Sequence, residues 1–166
     1  MKKIILGLIA SLVFIGCSSD NAEKNVEAKI VIGKSLSNLG LKDQFEKAVS
    51  IKADTTKVIF AYTKDVAHTC NNYIEAQTPT YLADNKIQFI ADVSSAPSLI
   101  RSMFILPGLQ DIKHTVILLD DKDIAAPFRA GVDTEKIVVV NLENNIIKNI
   151  RKLNGEADLK EFIETK

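Results

Sequence analysis

The chain has no tryptophan, and only two cysteines, two methionines, four prolines and seven glycines among 166 residues. Two cysteines are too few for the disulfide framework of a small secreted scaffold. Lysine plus arginine and aspartate plus glutamate are equal at 21 each. A basic excess is therefore missing, and with it the electrostatic footprint that phosphate contacts give a nucleic-acid binder. No glycine-rich phosphate loop or dinucleotide fingerprint occurs, so no nucleotide, flavin or other cofactor is expected. Internal repeats, low-complexity tracts and second-domain linkers are missing too, which leaves one domain.

What is present begins with "MKKIILGLIASLVFIGCSSDN". Lys2 and Lys3 precede an apolar run from Ile4 to Ile15, shorter than the roughly 20 residues that span a bilayer, and this is the pattern of a secretory signal. Its end, "FIGC", resembles the lipobox of bacterial lipoproteins. That resemblance implies a signal peptide over 1–16, cleavage after Gly16 and a lipid-bearing Cys17. Residues 17–34 then form the lipidated N-terminus and tether, and 35–166 the functional domain. Removing Lys2 and Lys3 leaves 19 basic against 21 acidic residues, a net charge of −2. The expected location is the bacterial cell envelope, facing the periplasm. Ser18 in place of aspartate favours the outer membrane under the sorting rule of some Gram-negative lipoproteins. With Cys17 acylated, Cys70 is the one remaining thiol and has no internal disulfide partner.

Beyond the tether, short segments rich in Val, Ile and Phe alternate with helical ones. "KVIFAYT" (57–63), "KIQFIADV" (86–93), "HTVILLDD" (114–121) and "KIVVVNL" (136–142) are nearly continuous in apolar character, as strands covered on both faces are. Helical patterns fall at about 66–83, 96–106 and 123–130. In the closing "GEADLKEFIETK", Leu159, Phe162 and Ile163 share one helix face. "NLENNIIKNI" sets two asparagines between strand-like runs, a hairpin signal. The order implies an α/β fold: a central, mostly parallel sheet with helices on both faces and a closing antiparallel hairpin.

"LGLKDQFEKAVSIKADTTKVIFAYT" resembles the opening of the thioredoxin-like superfamily branch that holds the peroxiredoxins and the membrane-tethered TlpA-like proteins. Leu41, Asp43, Gln44, Lys47, Val49, Ser50 and Ile51 match its entry hairpin, and the similarity extends to residue 164. In the thioredoxin register Asp65 and His68 stand where the redox Cys-x-x-Cys pair belongs, which excludes dithiol exchange. In the peroxiredoxin register "FAYTKDVAHTC" matches at Phe60, Tyr62, Asp65 and Cys70. The resemblance thus implies Cys70, in the first turn of a helix, as the candidate nucleophile, with Tyr62 and Asp65 beside it. Three of that family's supporting groups are replaced. Ala67 stands for the threonine that holds the peroxide, Thr63 for the shielding proline, and Glu135 for the activating arginine. A carboxylate there raises a thiol pKa instead of lowering it.

Other residues compete weakly. His68 and Cys70, with His114, are candidates for a metal site such as copper, but positions i and i+2 point to different helix faces, and the expectation is no metal. "APSLIRSMFILPGL" reads as a core helix ended by Pro107-Gly108 in preference to a membrane-contacting one. The acidic run Asp120, Asp121 and Asp123 lacks the spacing of a calcium loop and reads as a turn with Asp123 near a helix start. Together these features point to a lipid-anchored, redox-inactive thioredoxin-like domain acting as a binding or accessory module for an envelope protein partner. The alternatives are a one-cysteine thiol peroxidase or oxidoreductase using Cys70 and, more weakly, a copper-handling protein.

Overall fold

The apolar runs become strands in the order the sequence implies, and the computed structural model describes residues 26–165. The signal segment and Cys17 lie outside the described residues. An entry hairpin, β1 (Leu41–Asp43) and β2 (Ala48–Val49), is followed by β3 (Lys57–Ala61), α1 (Lys64–Glu75), α2 (Tyr81–Asp84) and β4 (Ile87–Asp92). Next come α3 (Ser98–Ile100), a π-helical turn (Arg101–Ile105) and α4 (Leu106–Gln110), which form one irregular helical segment. The chain then runs through β5 (Val116–Leu119), α5 (Lys122–Arg129), the hairpin β6 (Ile137–Glu143) and β7 (Ile146–Leu153), and α6 (Glu156–Glu164).

Among the described residues the strands form one sheet in the order β2-β1-β5-β4-β3-β6-β7. Its centre, β3, β4 and β5, is parallel, while β1, β6 and β7 pair antiparallel around it. Every residue of β4 and β5 is buried, because helices and loops cover both faces. Strand alternation sorts the core into two layers. Ile59, Ala61, Phe89, Ala91, Val116 and Leu118 face α1 and α6. Val58, Phe60, Tyr62, Ile90, Ile117 and Leu119 face α5 and the N-terminal segment. Part of that segment, Lys29 to Leu36, packs on the domain: Ile30 and Leu36 are buried, and the Lys29 N–H donates to the Pro127 carbonyl at 2.7 Å.

The turns have local causes. Asn144 and Asn145 close the β6–β7 hairpin with φ of 52° and 61°, the left-handed conformation that asparagine tolerates and two-residue hairpins need. In the entry hairpin the Asp43 carboxylate accepts from the Phe45 and Lys47 N–H groups at 2.9 and 3.0 Å. Buried Gln44 donates to the His114 carbonyl at 2.8 Å and accepts from the Val116 N–H at 2.9 Å, locking the hairpin onto β5. Lys57 closes the other end, its ammonium donating to the carbonyls of Phe162, Ile163 and Thr165 at the C-terminus of α6, where the helix dipole favours a cation.

Two sequence expectations change. The helical region 66–83 is two helices, separated by a turn containing Pro79. The stretch 96–106 does not pack as a core helix: Leu99, Ile100, Met103 and Phe104 are 64%, 43%, 57% and 65% exposed. Its apolar residues fall into two stripes on opposite sides of the helical path. Only the stripe of Leu106 and Leu109, with Ile112 beyond, packs on the core.

Candidate functional site

In a fold of this topology the carboxyl ends of β3 and β4 and the start of α1 meet at one end of the sheet, where ligands of open α/β sheets bind. Thr63 caps α1, its hydroxyl accepting from the Val66 N–H at 3.5 Å, and exposed Asp65 sits in the first turn, where the helix dipole favours an acid. Cys70 is not at this end. It is the seventh residue of α1, nearly two turns from the cap, which corrects its expected place in the first turn and removes the helix N-terminus as an activator. Its side chain is 0% exposed among Val66, Tyr73, Ile74 and the inward residues of β3. Burial pushes its thiol up to about 12. A thiol in that state is protonated at neutral pH and unreachable by a peroxide.

The three residues proposed to work together occupy three environments. Tyr62 lies in the layer beneath the opposite face of the sheet from Cys70. Its ring stacks on Phe60 with centroids 6.1 Å apart, and its hydroxyl donates to the Phe128 carbonyl at 2.8 Å. Burial, and then the charge of Asp92, hold the phenol well above its ordinary pKa, so it acts as a tie to α5. Asp65 faces solvent. Ala67 packs at the edge of the α1 core, and Glu135 is exposed. No constellation of nucleophile, base and oxyanion donor is assembled from these positions.

The histidines separate as well. His68 is exposed on α1. His114 is buried, its Nε2 3.1 Å from Asn71 Oδ1 and its Nδ1 3.3 Å from Glu75 Oε1. The second contact is an ion-pair distance whose geometry falls short of a hydrogen bond. Burial lowers the His114 pKa and nearby Glu75 partly offsets that. Both ring nitrogens thus face side chains of α1, and among the described residues no three His, Cys, Asp or Glu groups converge on a common point.

What occupies the carboxyl end was not singled out in the sequence. Asp92, the last residue of β4, is fully buried through its side chain; its Oδ1 accepts from the Ser94 N–H at 2.8 Å and hydroxyl at 2.7 Å. Its Oδ2 lies 3.2 Å from the Arg129 guanidinium. A carboxylate, a guanidinium and a hydroxyl meet at this end of the sheet, the Asp92–Arg129 contact being an ion-pair distance whose geometry falls short of a hydrogen bond, with Tyr62 near enough to feel both charges. The only signal in the sequence was an aspartate ending a largely apolar strand. Outside this lock, a shallow cleft lies between the start of α3 and α5, lined by Ser94, Pro97, Arg101, Asp120 and Lys122.

Sheet order, the closing hairpin and the placement of α1 after β3 define the thioredoxin-like fold. Solved structures with this fold are similar to the chain. A putative protein disulfide isomerase from Bacteroides thetaiotaomicron superposes with a TM-score of 0.53 at 16% identity, covering 84% of this chain and 89% of that one. A peroxiredoxin-like protein from Aquifex aeolicus gives 0.52 at 8% identity, covering 83% and 86%. Peroxidoxin BcpB from Mycobacterium tuberculosis gives 0.50 at 11%, covering 80% and 93%. No protein-family model matches the chain, and no curated protein sequence does. At these identities the likeness establishes the fold alone.

Proposed function

We propose that the chain is a lipid-anchored cell-envelope protein, tethered through Cys17 and facing the periplasm, whose thioredoxin-like domain has lost redox catalysis. It serves as a binding or accessory module for another envelope protein, with the outer membrane favoured by Ser18. The observation that carries the loss of catalysis is the burial of Cys70, with its thiol pushed up to about 12. The replacements at Thr63, Ala67 and Glu135 agree with it, and so does the Asp92–Arg129 lock at the end of the sheet where the fold would otherwise do chemistry. The anchor is supported by the charged start, the length of the apolar run and Gly16-Cys17.

The test uses protein starting at Ser18, in which Cys70 is the only thiol. Native protein is expected to resist alkylation and hydrogen peroxide across neutral pH and to react fully once denatured. Rapid sulfenic acid formation in the native state, with a thiol pKa below the ordinary value of about 8.5, would return the assignment to a one-cysteine peroxidase.

A further inference from the structure

Leu99, Ile100, Met103 and Phe104 form an exposed apolar ridge, and it carries no charge. The one ionic side chain within the segment, Arg101, is turned back onto the carbonyls of Val93 and Ala96, at 3.3 Å each. No acidic residue occurs between Pro97 and Gln110. Four large apolar side chains at 43% to 65% exposure on neighbouring turns are more than scattered surface residues.

The position of the ridge relative to the tether selects its occupant. A first cleft is lined by Val26, the first described residue, and by Asp123 of α5. A second is lined by Asp121 and Lys122, one step back along the chain, together with Pro97, Ser98 and Arg101, where the ridge begins. The emerging tether and the ridge therefore flank the first turn of α5. Eight residues separate Cys17 from Val26, so a fully extended chain holds the domain within roughly 30 Å of whatever Cys17 is attached to.

Resting on the lipid anchor of the proposed function, we infer that the ridge of Leu99, Ile100, Met103 and Phe104 docks into the lipid surface that holds Cys17. Acyl chains supply attachment, and the ridge supplies orientation, as a second membrane signal working with the first. Docking turns the carboxyl end of the sheet, where the ridge begins, toward the bilayer.

The absence of tryptophan makes the test clean. Phe104→Trp places one fluorophore on the ridge, and Asn149→Trp places one on exposed β7 as the control. Each is introduced into the full chain, processed in a bacterial host, checked for acylation at Cys17 by mass spectrometry, and reconstituted into vesicles of phosphatidylethanolamine and phosphatidylglycerol. The expected result is a blue shift of the ridge fluorophore and loss of its emission on vesicles with brominated acyl chains, with neither at position 149. Adding Leu99→Glu and Met103→Glu should abolish both signals while the protein stays bound. An acylated, bound protein with no shift overturns the docking and leaves the anchor standing. Unmodified Cys17 in a protein that does not sediment with membranes overturns the anchor and the docking together. A shift that needs concentrated protein without lipid, or one that needs added membrane proteins, overturns the lipid assignment in favour of a second copy or a protein partner.

Discussion

The carboxyl end of the sheet and the helical segment that follows it invert each other's usual roles. At the first, where this fold opens to solvent, the chain buries a carboxylate, pairs it with Arg129 and ties Tyr62 to α5. At the second, where a crossover between β4 and β5 ordinarily packs, it exposes four large apolar side chains. Polar groups are locked inside and apolar groups are left outside, within a few residues of each other in sequence. The lesson is that an internal ion pair and a tyrosine tie hold the carboxyl end of this sheet, while the next segment keeps its large apolar side chains on the surface.

That contrast breaks most readily at Arg129. Arg129→Met leaves the fully buried Asp92 carboxylate with only Ser94 for company, and removing one partner of such a pair is expected to cost about 3 kcal/mol, read by urea denaturation. Cys70→Ser comes next. A hydroxyl placed among Val66, Ile74 and Phe89 lacks a side-chain partner there, for an expected loss of about 2 kcal/mol. A stabilised variant instead would mean that Cys70 strains the core. Tyr62→Phe removes one buried bond and orphans the Phe128 carbonyl, costing about 1 kcal/mol.

Acid should sharpen the same comparison from the side of α1. Because burial holds His114 below the ordinary value, the unfolded chain takes up its proton first as the pH falls. Stability is therefore complete above about pH 6.5 and declines as the pH drops from there through the lower folded pKa. Glu75→Gln removes the group that partly raises the His114 pKa, so the decline should extend to lower pH. His114→Gln should flatten it, and melting temperatures between pH 7 and pH 5 check both.

Most of the fold could be read from the sequence because its central strands are covered on both faces and appear as unbroken apolar runs. The closing hairpin was legible through Asn144 and Asn145, whose roles are local, and the entry hairpin through the resemblance at Asp43 and Gln44, although Gln44 works by reaching 70 residues along the chain to His114. The site was legible only in part. Counting from the apolar strand put Cys70 near a helix start, but Thr63 caps the helix earlier, and that shift carries the thiol into the core. Tyr62 and Cys70 match one linear motif, yet Tyr62 follows β3 into the layer on one face of the sheet while α1 carries Cys70 over the other. Asp92 and Arg129 are 37 positions apart, and no short-range pattern joins them. The segment 98–110 misled for a different reason: apolar residues on both sides of a helix say that it is hydrophobic, not which stripe the core takes.

The smallest expected effect is the most informative about that stripe. Met103→Ser and Phe104→Ser each remove a side chain more than half exposed, from a segment whose packing rests on Leu106, Leu109 and Ile112. Each change should alter folding stability by no more than about 0.5 kcal/mol, the range of ordinary surface substitutions, whereas Leu109→Ala should cost about 2 kcal/mol because it vacates a packed position. A flat response at 103 and 104 beside a clear loss at 109 means that folding does not require the ridge, so its apolar character serves a contact made after folding. Losses at 103 and 104 equal to that at 109 would place the ridge in the core of the working protein and erase the contrast with the carboxyl end.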